Sequence, residues 1–217
     1  MASSFLSCSM STSGSAAYNS VSQALEETAS NYRTNLWKDA DCRVIIFLEK
    51  DGLAGVIEQI TLTSGVDLVP VRGYSSLSFQ YEVAEKYSEE ERPVFCYLLG
   101  DYDPSGMDAH RVIEETITDM APGVDFRWKR LGLTEAQIKK WKLPTRETKE
   151  TDSRAANWEG DASVELDAVE PKQLRKLVKD AIDKHMTDAD RTRLRENQAA
   201  ERAYIASLAD QARKDMP

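Results

Sequence analysis

The sequence predicts an α/β fold in which a mostly parallel four-stranded sheet is flanked by helices, with a helical extension at its C-terminal end. Short apolar runs such as Val44-Ile45-Ile46-Phe47-Leu48 alternate with longer stretches whose apolar residues recur at helical spacing. Those runs are continuous rather than alternating, as in strands covered on both faces. Strands and helices also succeed each other one for one, the order that gives a parallel sheet with helices on its faces.

Residues 1–19 are Ser-rich, and they lack the basic start and long apolar stretch of a secretory signal, so a disordered N-terminus is expected. Residues 20–40 hold a helix over Val21–Trp37, capped by Ser20, with Val21, Leu25, Ala29, Tyr32 and Leu36 on one face. Residues 41–185 form the α/β domain. Its first strand, Arg43–Leu48, ends abruptly in Glu49-Lys50-Asp51-Gly52. A helix near Leu53–Thr63, a strand at Leu68–Arg72, a helix near Leu77–Glu89 and a strand at Val94–Leu99 follow, then a helix over Ser105–Met120 and a strand near Val124–Leu131. A short helix around Thr134–Trp141 leads into Pro144–Gly160, an aperiodic loop or linker. Ser163–Ala168 alternates polar and apolar and reads as an added strand, and Glu170-Pro171 opens a helix to about His185. Residues 186–217 form a charged C-terminal helix, either solvated or docked on a partner.

Composition narrows the function classes. No apolar run approaches the roughly 20 residues that span a bilayer, so no membrane partner is expected. The three cysteines, Cys8, Cys42 and Cys96, have no paired spacing, which suits a reducing, cytoplasmic compartment. A net charge of −9 argues against indiscriminate binding to a polyanion. A nucleic-acid substrate would require metal ions or a partner to help, although Lys142, Arg146, Lys149 and Arg154 give one loop a local basic excess that could follow a phosphate backbone.

Two strands end in acid. The first delivers Glu49 and the third delivers Gly100-Asp101-Tyr102-Asp103-Pro104-Ser105-Gly106. In a parallel sheet these ends share one edge, so Glu49, Asp101 and Asp103 can converge on a divalent cation such as Mg²⁺ or Mn²⁺, which takes one or two carboxylates and keeps waters and phosphate oxygens. In an extended segment, residues two apart point the same way, so Asp101 and Asp103 can face one ion. Pro104 stops the strand, and Ser105-Gly106 turn the chain into a helix whose N-terminal amides favour an anion. Asp108 either joins this cluster or sits in the helix's first turn. Lys50 and Arg72 lie at strand ends, where they hold a phosphate oxygen or pair with the acids. Glu165 and Asp167 project either toward the cleft as further ligands or from a solvent-facing strand edge. His110 and His185 have no Cys or His partner at zinc spacing and are expected to be structural.

Ile45-Ile46-Phe47-Leu48-Glu49-Lys50 and Leu99-Gly100-Asp101-Tyr102-Asp103-Pro104-Ser105-Gly106 resemble the Toprim domain, the metal-binding module of topoisomerases, bacterial primases and several nucleases. The likeness is closest to the Toprim part of the topoisomerase VI A subunit and its meiotic double-strand-break relatives. Arg72-Gly73-Tyr74-Ser75-Ser76 is similar to the family's middle element, and the resemblance covers roughly Arg43–Ile182. It implies a Toprim, Rossmann-like fold, Mg²⁺ on Glu49, Asp101 and Asp103, and help from Glu49 in proton transfer at the scissile phosphate. Lys50 joins these acids as a catalytic residue, with Arg72, Gly73, Tyr74, Ser105 and Gly106 on the substrate side.

Those subunits carry a winged-helix domain with the DNA-attacking tyrosine ahead of the Toprim part, whereas about 40 residues precede the first strand here. Tyr18 and Tyr32 are expected to be core or surface residues. The expectation is therefore a metal-dependent protein cleaving or nicking DNA with water as nucleophile, a fragment of a longer protein, or one member of a complex whose partner supplies the tyrosine or an ATPase. A homodimer would suit double-strand cleavage. The rival expectation is a non-catalytic Toprim scaffold or regulatory subunit that docks through its C-terminal helix.

Overall fold

The computed structural model describes residues 17–71, 77–146 and 163–215. The chain divides into two compact units, one of residues up to Thr34 with those from Arg193 onward, the other Asn35–Thr192.

The larger unit is the α/β domain. Its strands are β1 (Arg43–Leu48), β2 (Asp67–Pro70), β3 (Val94–Leu99) and β4 (Phe126–Gly132), all parallel, in the order β2-β1-β3-β4. Every residue of β1 after Arg43 is buried, as a central strand requires. The helices are α2 (Ala54–Ser64), preceded by a 3-10 turn at Asp51–Leu53, then α3 (Leu77–Tyr87), α4 (Pro104–Met120), α5 (Glu135–Trp141) and α6 (Pro171–Asp183).

Strand side chains alternate between faces. Ile45, Phe47, Cys96 and Leu98 join Val83, Ala84 and Tyr87 of α3 and Ile113 and Ile117 of α4 in one core. α3 packs beside α4, and α2 beside α6, so the helices pair off as a two-faced sheet demands. Before β1, the Arg92 guanidinium donates to Trp37 O at 2.7 Å and Ala40 O at 2.8 Å, and Trp37 Nε1 donates to Ser64 O at 2.8 Å. Cys42 and Cys96 are buried free thiols.

The smaller unit contains α1 (Val21–Asn31) and most of α7 (Asp188–Asp215). Ser20 caps α1 through the Gln23 amide, as the sequence suggests. The helix stops six residues short of the expected Trp37, because Tyr32 turns extended (φ −57°, ψ 133°) and its carbonyl accepts from Arg202 at 2.8 and 2.9 Å. Leu36 and Trp37, which had extended the helical pattern, are buried in the α/β unit instead. The N-terminal and C-terminal segments, read separately from the sequence, thus form one unit.

Ser163–Ala168 is not a strand. Val164 makes an isolated antiparallel bridge to Tyr102 and Ser163 one to Arg146, after which Leu166–Ala168 turn as a 3-10 helix. Its alternation reflects Val164 and Leu166 being buried beneath Glu165 and Asp167 rather than sheet pairing. Among the described residues no helix is long and apolar enough to cross a membrane. Most of the expected disordered N-terminus lies outside the described residues.

Candidate functional site

The chain runs from β1 outward to β2, then returns to build β3 and β4 on the other side of β1. Where the winding reverses, loops leaving adjacent strands diverge, and the crevice beyond their carboxyl ends is where open α/β sheets bind ligands. Here that point lies between β1 and β3, the strands that end in Glu49 and in Gly100-Asp101.

Ladder bonds continue past both strands: Glu49 N donates to Leu99 O at 2.9 Å, and Gly100 N to Gly132 O at 2.8 Å. The Asp101 amide then donates to Glu49 Oε2 at 3.0 Å, joining the two strand ends directly. Asp101 Oδ1 accepts the Leu166 amide at 2.7 Å. Asp103 is extended (φ −150°, ψ 169°) and caps α4, its Oδ1 accepting the Gly106 amide at 2.7 Å, with Pro104 opening the helix. Each of the three predicted acids therefore commits an oxygen to a main-chain N–H. Ser105 and Gly106 stand in the first turn of α4, as expected.

Close approach requires two glycines. A Cβ on Gly100 would lie 2.2 Å from Glu49 Oε2 and 2.5 Å from His110 Nε2, and one on Gly106 would lie 2.7 Å from Asp101 O. Only hydrogen fits at these places.

Burial raises the Glu49 carboxyl above the usual range, and the charges of Asp101 and Asp103 raise it further against the lowering effect of the Asp101 amide. Asp101 is likewise raised by burial and by Asp103, opposed by the Leu166 amide and Lys50. Lys50 Nζ lies 2.9 Å from Asp167 Oδ2, 3.2 Å from Glu165 Oε2 and 3.4 Å from Asp101 Oδ2. Burial works against its charge, but these partners, led by the Asp167 hydrogen bond, hold its pKa above the ordinary lysine value. Arg146 adds a bond to Glu165 at 2.6 Å. Glu165 and Asp167 thus reach the site by way of Lys50.

The sequence reading gave Arg130 no role and expected His110 to be structural. Arg130 of β4 donates through Nε to Leu133 O at 2.7 Å and through Nη2 to Gly100 O at 3.2 Å and to Asp101 O, while its Nη1 meets His110 Nδ1. Burial lowers Arg130 to about 10, partly offset by Glu49, Asp101 and Asp103, so it is charged at neutral pH. His110 of α4 is 7% exposed, and burial with the Arg130 charge lowers it to about 3, so it is neutral there. Both left a trace in the sequence. Arg130 continues the period-two series Phe126, Trp128, and His110 shares a helical stripe with Gly106, Ala109, Ile113 and Ile117.

His185 has the structural role expected of it: its ring bonds Tyr97 OH at 2.8 Å and packs near Phe95. Asp108 pairs with Arg111 at 2.6 Å in the early turns of α4 rather than joining the cluster. Arg72, Gly73, Tyr74, Lys149 and Arg154 lie outside the described residues. In the smaller unit, Tyr32 OH donates to Glu201 at 3.1 Å, and Tyr18 is exposed.

No protein-family model matches the chain, and no curated protein matches it. Geometry and chemistry carry the functional reading.

Among the described residues no three His, Cys, Asp or Glu side chains are preset to hold one ion. The donor chemistry nevertheless fits a hard divalent cation. The acids offer only oxygen, the charges of Asp101 and Asp103 raise the Glu49 carboxyl and that of Asp103 raises Asp101, and Mg²⁺ needs only one or two protein carboxylates beside water and phosphate.

Proposed function

We propose that this chain is a Toprim-like, Mg²⁺- or Mn²⁺-dependent protein acting on DNA phosphodiester bonds, by itself or within a topoisomerase VI-like cleavage complex. The observation that carries the reading is the hydrogen bond from the Asp101 amide to Glu49 Oε2, which brings a Glu and an Asp-x-Asp pair together at the switch point of a parallel sheet.

Glu49, Asp101 and Asp103 are the residues that would hold the ion, which supplies polarisation of the phosphodiester and stabilisation of the charge developing on it. The α4 N-terminus directs its positive dipole end at the same crevice and favours a phosphate there. Lys50, already surrounded by Asp101, Glu165 and Asp167, is the cation best placed to contact a phosphate oxygen. Glu49, with its raised pKa, is the candidate for proton transfer. The nucleophile is water or a tyrosine from a partner.

Two observations favour a second reading, a non-catalytic scaffold or regulatory subunit. Lys50 neutralises much of the acidic cluster internally, and the chain's charge of −9 repels DNA.

Nicking of supercoiled plasmid in Mg²⁺, Mn²⁺ or EDTA separates the two. The variant to compare is Asp101→Asn/Asp103→Asn, because Asn keeps the acceptor for Leu166 and the cap on Gly106 while removing both charges. The proposal expects metal-dependent nicking that falls at least about a hundredfold in the variant. Metal binding without nicking assigns the nucleophile to a partner, and no metal binding leaves the scaffold.

A further inference from the structure

His110 holds a buried nitrogen that the proposed chemistry does not use. Its Nδ1 faces Arg130 Nη1, and a guanidinium can only donate, so Nδ1 carries the lone pair and the neutral ring carries its hydrogen on Nε2. That Nε2 is fully enclosed and has no hydrogen-bond partner among the described residues. It lies 3.9 Å from Glu49 Oε2, the oxygen that already accepts from the Asp101 amide. Gly100 contributes no side chain to the gap, and a Cβ there would collide with both atoms. An approach of about 1 Å completes a hydrogen bond.

We propose that His110 is a positioning residue for Glu49: fixed by Arg130 as the Nε2–H tautomer, it donates to Oε2, leaving Oε1 for a ligand. Arg130 organises the arrangement from both sides, since the same guanidinium holds Gly100 O and Asp101 O. The neighbouring groups facing the imidazole are thus Arg130 and Glu49, with Asp101 and Asp103 beyond them. The value of the device for catalysis rests on the metal-dependent reading above, but the tautomer and the contact do not.

The chain has only two histidines, so ¹⁵N-histidine labelling of the intact protein gives two ring systems, and His110→Gln assigns them by loss. The expected spectrum shows His110 protonated on Nε2 alone. The Asp101 amide signal, which reports the position of Glu49 Oε2, is expected to stay in place in His110→Gln, whose amide nitrogen can occupy the Nε2 position, and to move in a folded His110→Leu variant. Mn²⁺ affinity is expected to fall about tenfold in His110→Leu and to be largely restored in His110→Gln, the size typical of groups that orient metal ligands. A hydrogen on Nδ1, an imidazolium at neutral pH, or an Asp101 amide indifferent to His110→Leu overturns the proposal. A wild-type chain that binds no Mn²⁺ but shows the tautomer and the Asp101 response retires the metal reading and leaves the positioning role standing.

Discussion

Two acidic clusters meet at Lys50, and they are built by opposite means. Glu49, Asp101 and Asp103 are fixed by main-chain amides at the ends of buried strands and the start of a helix, with side-chain exposures of 16% and 15% for the first two. Glu165 and Asp167 are about half exposed, at 46% and 54%, and are held by the side chains of Lys50 and Arg146. The first arrangement is imposed by the fold and costs stability, since charge is kept out of water and close to like charge. The second is a set of solvent-screened pairs that contribute little individually. The difference teaches which cluster owes its position to the fold: the inner one, which is also the one proposed to hold the ion.

The contrast breaks most sharply at Gly100. Gly100→Ala inserts a methyl 2.2 Å from Glu49 Oε2 and 2.5 Å from the His110 ring, and the ring cannot turn aside while Arg130 holds it. Urea unfolding should show a loss of about 2–3 kcal/mol, with Glu49 displaced from the Asp101 amide.

Glu49→Gln sharpens the comparison through pH. A carboxyl whose folded pKa lies above its unfolded value of 4.5 binds its proton more tightly when folded, so its contribution to stability is present below pH 4.5 and is lost as pH rises through the folded value. The glutamine variant has no such loss. Its unfolding free energy should match wild type most closely in acid and exceed it at pH 7, measured by urea titration at both pH values, even as metal-dependent nicking is lost.

The smallest effect is expected at Glu165. Glu165→Gln breaks exposed pairs with Lys50 and Arg146 and should change stability by less than about 1 kcal/mol. A larger loss would mean that the outer cluster is as much a part of the fold as the inner one.

The sheet was legible because burial on both faces leaves continuous apolar runs, and β3 lies over Val94–Leu99 as those runs suggest. That the strand ends carrying Glu49 and Asp101 lie side by side followed from parallel topology alone. Leu36 and Trp37 misled because spacing does not reveal which core an apolar residue enters, and Ser163–Ala168 because alternation arises whenever a loop covers a core. Arg130 and His110 were hidden for a related reason: their partners lie on other elements, and an inward-facing charged or aromatic position identifies itself only once its strand or helix face is known.

Asp101 Oδ1 holds the Leu166 amide, and the Tyr102–Val164 bridge lies beside it, so the chain returning at residue 163 is fastened to the very carboxylate proposed to take a ligand. A ligand that takes the Oδ1 lone pair now given to that amide displaces it. Solvent exchange of a single backbone proton, that of Leu166, thereby becomes a gauge of occupancy: slow when the loop is fastened, and faster in proportion to the fraction of molecules whose Asp101 has turned to another ligand.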